Sequence, residues 1–304
     1  MFLDVLVVGD ANPDLVLRGD VRPRFGQAEQ LLTDADLVLG GSAAITAAGC
    51  ARLGLRTGLL ARIGDDVFGR FTRDQLAERG VELPPLEKAD LPTGLSVILS
   101  TRTDRAILTL PGTIPTLRPE DVTDELLAST RHLHVASLFL QPTLAEGLAG
   151  VLERARRKGV TTSLDTNWDP SGRWAGVTEI LAHVDVFLPN AAELVAVVGR
   201  GAGEEEAAAA ELVAAGTTVV LKDGARGARA WWPGGGCAAP GLPVEVVDTT
   251  GAGDSFGAGF LAGRLAGQPI ERAVTWAAAA GSLSTRAAGG TAAQATLSEL
   301  HVIP

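Results

Sequence analysis

Short, continuously apolar segments alternate with longer helical patterns along most of the chain. The apolar segments lack the polar alternation of a half-exposed sheet, which is typical of strands covered on both faces. The predicted strands are residues 5–8, 57–61, 133–136, 161–164, 186–188 and 219–221, and the predicted helices are 42–53, 68–79, 144–158, 191–198, 204–215 and 255–265. This βα order predicts an α/β fold with a mainly parallel sheet between layers of helices.

Two segments, residues 14–39 and 91–110, do not follow this βα order and show short runs in which apolar and polar residues alternate. One of them, SVILSTRTDRAILTL, has TRTD in its middle, which is typical of a hairpin. We expect these strands to form a small β-sheet that acts as a lid on a single domain spanning residues 1–304. Because exposed strand edges can pair with another copy, the lid is a candidate surface for a homodimer.

The composition limits the partners of the chain. It has 26 basic and 36 acidic residues and a formal net charge of −10, so we expect neither nucleic acid nor an anionic membrane as a partner. The first residues, MFLDVLVVGDANPD, carry an aspartate inside their apolar run and lack a basic start, which predicts a first strand and not a signal peptide. The two cysteines lie far apart, as expected of buried thiols in a reducing compartment. We therefore predict a cytoplasmic protein.

The stretch DTTGAGDSFGAGF, residues 248–260, links an apolar strand to a helix. A helix start offers unpaired N–H donors and partial positive charge, and glycines let a ligand approach that backbone closely. The stretch therefore predicts an anion site. The carboxylate of Asp254 directly after the glycines is unexpected for a loop that only binds phosphate.

Three interpretations of this stretch differ in how they use the aspartate. Packing alone would explain why glycines recur every four residues, but it leaves Asp248 and Asp254 without a role. A dinucleotide fingerprint would use Glu271, although the residues before Glu271 have the pattern of a helix and a turn. In phosphoryl transfer the loop amides would hold the phosphate while Asp254, kept ionised by the helix dipole, accepts a proton from an alcohol. We favour this third interpretation.

DTTGAGDSFGAGF resembles the C-terminal signature of the ribokinase-like (PfkB) carbohydrate kinase family, D-T-x-G-A-G-D. Four more segments resemble the family in the same order: GGSAAITAAGCARLG at 40–54, RIGDDVFGR at 62–70, PNAAE at 189–193 and KDGARG at 222–227. Five ordered matches are far more specific than one. The resemblance implies a ribokinase-like fold with a β lid. It also implies phosphorylation of a hydroxymethyl group on a sugar or nucleoside, with ATP and Mg²⁺.

The resemblance also implies roles for individual residues. Asp254 would be the base, with an anion hole formed by Gly251, Ala252 and Gly253; the acceptor would contact Asn12, Asp14, Gly40, Gly41 and Ile45. The nucleotide would lie beside Asn190, Lys222, Gly224, Gly227 and Thr249. Glu193 would reach Mg²⁺ through water, and Asp248 with Thr250 would hold a monovalent cation such as K⁺. Asp14 could instead cap a loop, and Asn190 with Glu193 could be a capping pair.

The motifs leave the roles of several residues with alternatives. Ile45 stands where the family commonly has asparagine, so a nucleoside kinase or a catalytically silent ligand-binding member stays an alternative to a sugar kinase. Arg105, at the tip of the lid, could reach phosphate, but the pattern favours a solvated turn arginine. Either Phe139 or Gln141 could contribute to the pocket. His132 and His134 are predicted to face opposite sides of a strand, where they could not share a metal ion.

Overall fold

A computed structural model describes residues 2–87, 90–101 and 104–304 of the 304-residue chain. Its strands are β1 (Leu3–Val8), β2 (Asn12–Gly19), β3 (Leu32–Gly40), β4 (Thr57–Leu60), β5 (Leu95–Ser100), β6 (Arg105–Leu110), β7 (Thr130–Ala136), β8 (Thr161–Asp165), β9 (Val186–Phe187), β10 (Thr218–Lys222), β11 (Ala228–Trp232) and β12 (Gly235–Ala239). Each of the six predicted strands overlaps one of these. The predicted strands are therefore present, while β11 and β12 were not among them.

Eight of the described strands form the main sheet, in the order β12-β11-β10-β9-β8-β7-β1-β4. The strands from β10 to β4 are parallel, while β11 and β12 form an antiparallel hairpin at one edge. Strand β1 is almost wholly buried, as a continuous apolar run predicts for a strand covered on both faces. This arrangement confirms the predicted α/β fold.

Helices cover both faces of the main sheet. They are α1 (Ser42–Arg52), α2 (Val67–Glu78), α3 (Asp124–Ala128), α4 (Pro142–Arg157), α5 (Val177–Leu181), α6 (Ala191–Val197), α7 (Glu205–Ala214), α8 (Ala252–Leu265), α9 (Ile270–Ser284) and α10 (Leu297–His301). One apolar core lies under α1, α8 and α9, and a second core lies under α4, α6 and α7 on the opposite face. Among the described residues, no helix is both long and apolar enough to cross a membrane.

The lid sheet consists of four strands in the order β3-β2-β5-β6. Strand β2 pairs antiparallel with β3 and parallel with β5, and β5 pairs antiparallel with β6, the hairpin that the alternating sequence predicts. Two residues of the predicted TRTD turn, 102 and 103, lie outside the described residues. Strand β6 is exposed along its whole length.

The dinucleotide interpretation of the glycine stretch disagrees with the fold. Glu271 lies in the first turn of α9, and the residues before it belong to α8 and a turn. A fingerprint of that kind requires its acidic residue at the end of a second strand. Glu271 is therefore not placed to bind a ribose.

The prediction that His132 and His134 face opposite sides of a strand was wrong. His132 Nε2 and His134 Nδ1 both lie 2.7 Å from Ser163 Oγ on the neighbouring strand β8. Side chains alternate along a strand, so residues two apart share a face. Both rings are buried, and burial lowers the pKa of each to about 3. Two neutral rings that share one hydroxyl partner are core residues of the main sheet.

Glycines on one face of α8 let it approach α9 closely. A Cβ atom at Gly259 would lie 2.7 Å from the carbonyl oxygen of Trp276, and one at Gly263 would lie 2.8 Å from Ala273 Cα. Gly257, on another face of α8, has no atom near the corresponding position. The four-residue spacing of the glycines thus reflects helix packing as well as the anion site.

We expect Gly259→Ala to lower the free energy of unfolding by about 1–3 kcal/mol, because the added methyl group overpacks the α8–α9 contact. The matched control Gly257→Ala adds the same methyl group in open space, where we expect up to about 1 kcal/mol of stabilisation from helix propensity. Urea unfolding of both variants measures the difference. Equal effects of the two substitutions would contradict this account of the α8–α9 packing.

Candidate active site

Two cavities meet at the segment that precedes and begins α8. The first, here called the glycine cleft, has a volume of about 540 Å³ and is lined by Lys222, Gly224, Gly227, Thr249, Ala252 and Gly253 together with apolar residues. The second, here called the lid cavity, has a volume of about 150 Å³ and lies between the lid sheet and α1. Its lining includes Asn12, Asp14, Gly41, Ile45, Thr250, Gly251 and Asp254. Residues 249–254 thus separate the two cavities and contribute to both.

The amino end of α8 has unpaired backbone donors. Gly251 precedes the helix with φ of 70° and provides no side-chain cap. The amide of Ala252 donates to Thr249 O over 3.3 Å, whereas the amides of Gly251 and Gly253 donate to no described residue. A Cβ atom at position 251 would lie 2.7 Å from Gly290 Cα. Glycine is required there for both its conformation and its size, and the free amides suit an anion.

Asp254 lies in the first turn of α8 and points into the lid cavity, with 8% of its surface exposed. Its Oδ1 accepts a short hydrogen bond from the hydroxyl of Ser42, at the start of α1. Asn167 Nδ2 donates to the same hydroxyl over 2.8 Å, and Asn167 Oδ1 accepts from the amide of Ser137. This chain of hydrogen bonds from three strand–helix connections orients the carboxylate.

The charge state of Asp254 differs from the expectation. Burial, followed by the charge of Asp165, raises the pKa of Asp254 to about 7, although the hydroxyl of Ser42 and the ammonium of Lys222 lower it. Burial and the charge of Asp10 likewise raise the pKa of Asp14 to about 7. The helix dipole therefore does not keep Asp254 fully ionised at neutral pH, because desolvation and neighbouring carboxylates outweigh it.

The side of the lid cavity away from α8 is built by the first strands of the chain. Asn12 Nδ2 donates to Asp14 Oδ1 over 2.9 Å, so the two predicted acceptor residues form a pair. Gly40 lies opposite Asn12 across β2 and β3 and packs against the Asp14 carboxylate without lining the cavity. Ile45 is buried and packs against Gly290, so it supports the loop as well as the cavity wall.

Lys222 lies at the inner end of the glycine cleft. Its Nζ is 2.7 Å from Asp165 Oδ2 and 3.8 Å from Glu193 Oε2. Burial opposes the charge on Lys222, but these two carboxylates outweigh burial and raise its pKa. A Cβ atom at Gly253 would lie 3.5 Å from this ammonium group, so the lysine charge stands beside the free amides.

Asn190 and Glu193 form a capping box at the start of α6. Asn190 Oδ1 accepts from the amide of Glu193 over 2.9 Å, and Glu193 Oε2 accepts from the amide of Asn190 over 2.8 Å. Neither residue lines the glycine cleft. The remaining oxygen of Glu193 accepts no hydrogen bond from a described residue, so it is available to a hydrated cation.

Asp248 and Thr250, the predicted monovalent-cation residues, are already engaged. Asp248 Oδ1 accepts from the amide and the hydroxyl of Thr250, and Oδ2 accepts from the amide of Gly289. Arg105 on the lid strand β6 donates to the Thr250 hydroxyl over 2.6 Å. The prediction that Arg105 is only a solvated turn residue was therefore wrong.

Several site residues carried no sequence signal that we used. Asp10, Ser42 and Leu140 line the lid cavity, whereas neither predicted alternative, Phe139 nor Gln141, does. Asp165 could have been noticed, since it directly follows the predicted strand 161–164, at the strand end where ligands bind in such folds. Within the described part of the chain, no cluster of three metal-binding side chains exists.

We expect Asp254→Asn to stabilise the fold above pH 7. The raised pKa means that the folded state holds a proton that the unfolded chain, at the ordinary value of 3.8, releases. Wild-type stability is therefore highest below that value and falls as the pH rises to about 7. Above pH 7 the folded wild-type chain holds a buried charge that the asparagine variant lacks. We therefore expect the free energy of unfolding of the variant to be higher by at least about 1 kcal/mol.

Asp169→Asn is the control of opposite sign. Burial opposes ionisation of Asp169, but hydrogen bonds from Trp174 and Ser171 outweigh it and lower its pKa. Its carboxylate stabilises the fold at neutral pH, so this variant should be less stable there. Denaturant unfolding at mildly acidic pH and above pH 7 measures both variants. A less stable Asp254→Asn variant at the higher pH would refute the assigned charge state.

Comparisons with known proteins bear on the family and the fold of this chain. The model of the pfkB family carbohydrate kinases matches residues 3–297. The ATP-dependent ribose-1-phosphate kinase of Halopiger xanaduensis is 32% identical over 291 residues, covering 95% of this chain and 94% of that protein. The ribokinase of Thermotoga maritima has a TM-score of 0.81 at 25% identity, with 99% of each chain covered. An E. coli protein provisionally called Ribokinase II, in complex with ATP and Mg²⁺, has a TM-score of 0.88 at 23% identity, again with 99% of each chain covered.

The family expected from the five sequence segments is thereby confirmed, as is the ribokinase-like fold. The chain belongs to the pfkB family of carbohydrate kinases.

Proposed function

We propose that this chain transfers the γ-phosphoryl group of ATP to a hydroxymethyl group of a sugar bound in the lid cavity. One observation carries the proposal: residues 249–254 face two cavities in turn. Thr249, Ala252 and Gly253 line the glycine cleft, and Thr250, Gly251 and Asp254 line the lid cavity. A phosphoryl group that crosses between the cavities would pass the free amides at the start of α8.

The glycine cleft is suited to the nucleotide. Its apolar wall, which includes Val244 and Phe256, can cover a purine, and Gly224 with Gly227 leaves the backbone accessible. The Gly251 and Gly253 amides would hold the oxygens of the transferring phosphate, with Lys222 adding positive charge. Thr249, which lines the same cleft, would lie near the phosphates. Asn190 would act indirectly, through the capping box that orients Glu193.

Mg²⁺ fits the carboxylates near Lys222 through water. The ion commonly uses one or two carboxylates plus substrate phosphates, and the free oxygen of Glu193 provides such a contact. When bound, it would neutralise charge on the phosphates. The family relative from Halopiger is ATP-dependent by name, which supports the same nucleotide for this chain.

On the acceptor side, Asp254 would accept the proton of the attacking hydroxyl. A pKa of about 7 suits a general base that works near neutral pH. Asn12 and Asp14 would hydrogen-bond to ring hydroxyls, with Gly41 allowing close approach of the ring and Gly40 leaving room for the Asp14 carboxylate. The small volume of the lid cavity, about 150 Å³, favours a single sugar over a nucleoside.

We also propose that two copies of the chain associate through their lid sheets. Ile107, Leu108 and Leu110 on the edge strand β6 are each more than half exposed. Unpaired strand edges with apolar side chains favour pairing with an identical edge. Sedimentation of the wild-type chain and of a Leu108→Lys variant tests this association, since the charge should yield a monomer.

An acceptor panel tests the proposed reaction. ADP formation with ATP and Mg²⁺ would be measured on ketoses, aldoses, sugar acids, sugar phosphates and nucleosides. We expect turnover on a sugar or sugar phosphate, the class to which the Halopiger relative's substrate belongs by name. Turnover only on nucleosides would favour the alternative that Ile45 leaves open. Saturable ligand binding without any turnover would identify a catalytically silent member.

Asp254→Asn should lower kcat by about a thousandfold, because the general base is lost while the nucleotide site is unchanged. Asp14→Asn is the matched comparison, since it removes a charge from the same cavity at a distance from the chemistry. We expect it chiefly to raise the KM for the acceptor. ATP affinity, measured by calorimetry, should persist in both variants. Near-normal kcat for Asp254→Asn would disprove its role as the base.

A further inference from the structure

Arg105 connects the lid to the loop before the anion hole. It begins β6 at the edge of the lid sheet, and its Nη1 donates to Thr250 Oγ1 over 2.6 Å. The same nitrogen lies 3.7 Å from Asp248 Oδ1. Arg105 is the one cationic side chain among the described residues that line the lid cavity. Its positive charge therefore stands directly beside the segment that leads to Gly251.

The side-chain oxygens of Asp248 and Thr250, the two predicted cation ligands, already accept hydrogen bonds. Both Asp248 oxygens accept hydrogen bonds, and the Thr250 hydroxyl donates to Asp248 and accepts from Arg105. The nearby carbonyl of Thr285 accepts from two amides, those of Val247 and Asp248. A free K⁺ would have to displace these donors and would also be repelled by the guanidinium. Asp248, Thr250 and Thr285, with the guanidinium beside them, therefore fit the ion poorly.

A positive charge beside Asp248 still has a function. Burial of Asp248 opposes its ionisation, but hydrogen bonds from Gly289 and Thr250 outweigh burial, and the charge of Arg105 adds to them, so its pKa is lowered. The ionised carboxylate accepts the amide and hydroxyl of Thr250 and so sets the backbone path into Gly251. A cation near Asp248 thereby stabilises the conformation in which the anion-hole amides are free.

We propose that Arg105 is a positioning residue whose guanidinium supplies this charge, so that the kinase needs no monovalent cation. The inference rests on the proposed function, since it concerns the loop that would hold the phosphate. It also makes the lid part of the site. When the lid sheet covers the acceptor, it brings the charge that stabilises the Asp248–Thr250 turn.

The first test compares salts. ADP formation by the wild-type enzyme, with its acceptor and MgATP saturating, would be measured in potassium chloride and in equimolar tetramethylammonium chloride. We expect the same kcat in both salts, because Arg105 already occupies the place of the ion. A kcat that depends strongly on potassium would overturn the proposal.

The second test changes the charge at position 105. Arg105→Gln should lower kcat about tenfold or more, since a group that preorganises an anion hole is lost. Arg105→Lys should retain most of kcat, because the charge persists. The matched control Arg18→Gln removes another lid arginine, whose ion pairs with Asp34 and Asp36 stay within the lid sheet, and should leave kcat unchanged.

Two results of this test would overturn the proposal. One is a wild-type kcat in Arg105→Gln. The other is a raised KM for the acceptor with unchanged kcat, which would make Arg105 a contact of the acceptor instead.

A third measurement needs no acceptor. Calorimetric binding of ADP with Mg²⁺ to the wild-type chain should give the same affinity in the two salts. An affinity that rises with potassium would overturn the proposal. If no acceptor in the panel is phosphorylated, the proposed function fails, and this measurement still decides whether the loop requires a monovalent cation.

Discussion

The uncapped amino end of α8 is the constraint on which the rest of the site depends. Because Gly251 adopts a positive φ and packs against Gly290, the chain turns into the helix without a side-chain cap. The unpaired amides are left facing a boundary between two cavities. Unsatisfied donors at a helix end are costly unless a ligand or solvent meets them, so their presence here indicates an anion.

The surroundings of that helix end are strongly acidic. Five buried carboxylates lie around it, those of Asp10, Asp14, Asp165, Glu193 and Asp254. Among the described residues, Lys222 places its ammonium group beside two of them, Asp165 and Glu193. Such a group of carboxylates raises the pKa of several of its members and lowers the stability of the fold at neutral pH. A fold optimised only for stability would avoid it, which indicates that the cost is retained for function.

The lid contributes more than a cover. Strand β2 supplies Asn12 and Asp14 to the floor of the lid cavity, and β6 brings Arg105 to the turn before the helix. The lid sheet therefore contributes both to the acceptor pocket and to the turn that leads into the anion hole. A change of lid position would alter both, and this gives a physical reason for acceptor binding and phosphate binding to depend on each other.

Local sequence pattern determined the order of strands and helices, the strand–glycine–helix unit and the presence of Asp254 at its start. These features follow from interactions between residues a few positions apart, which a periodic pattern records. The start of α8 was predicted less well, because the helix begins at Ala252, before the predicted start at residue 255.

Only the tertiary structure decided which groups surround Asp254. Ser42 lies 212 positions before it in the chain, and Asp165 meets Lys222 across 57 positions. The contact between Arg105 and Thr250 spans 145 positions. Charge states and cation sites depend on such distant neighbours through burial and Coulomb forces, and sequence spacing carries no record of them.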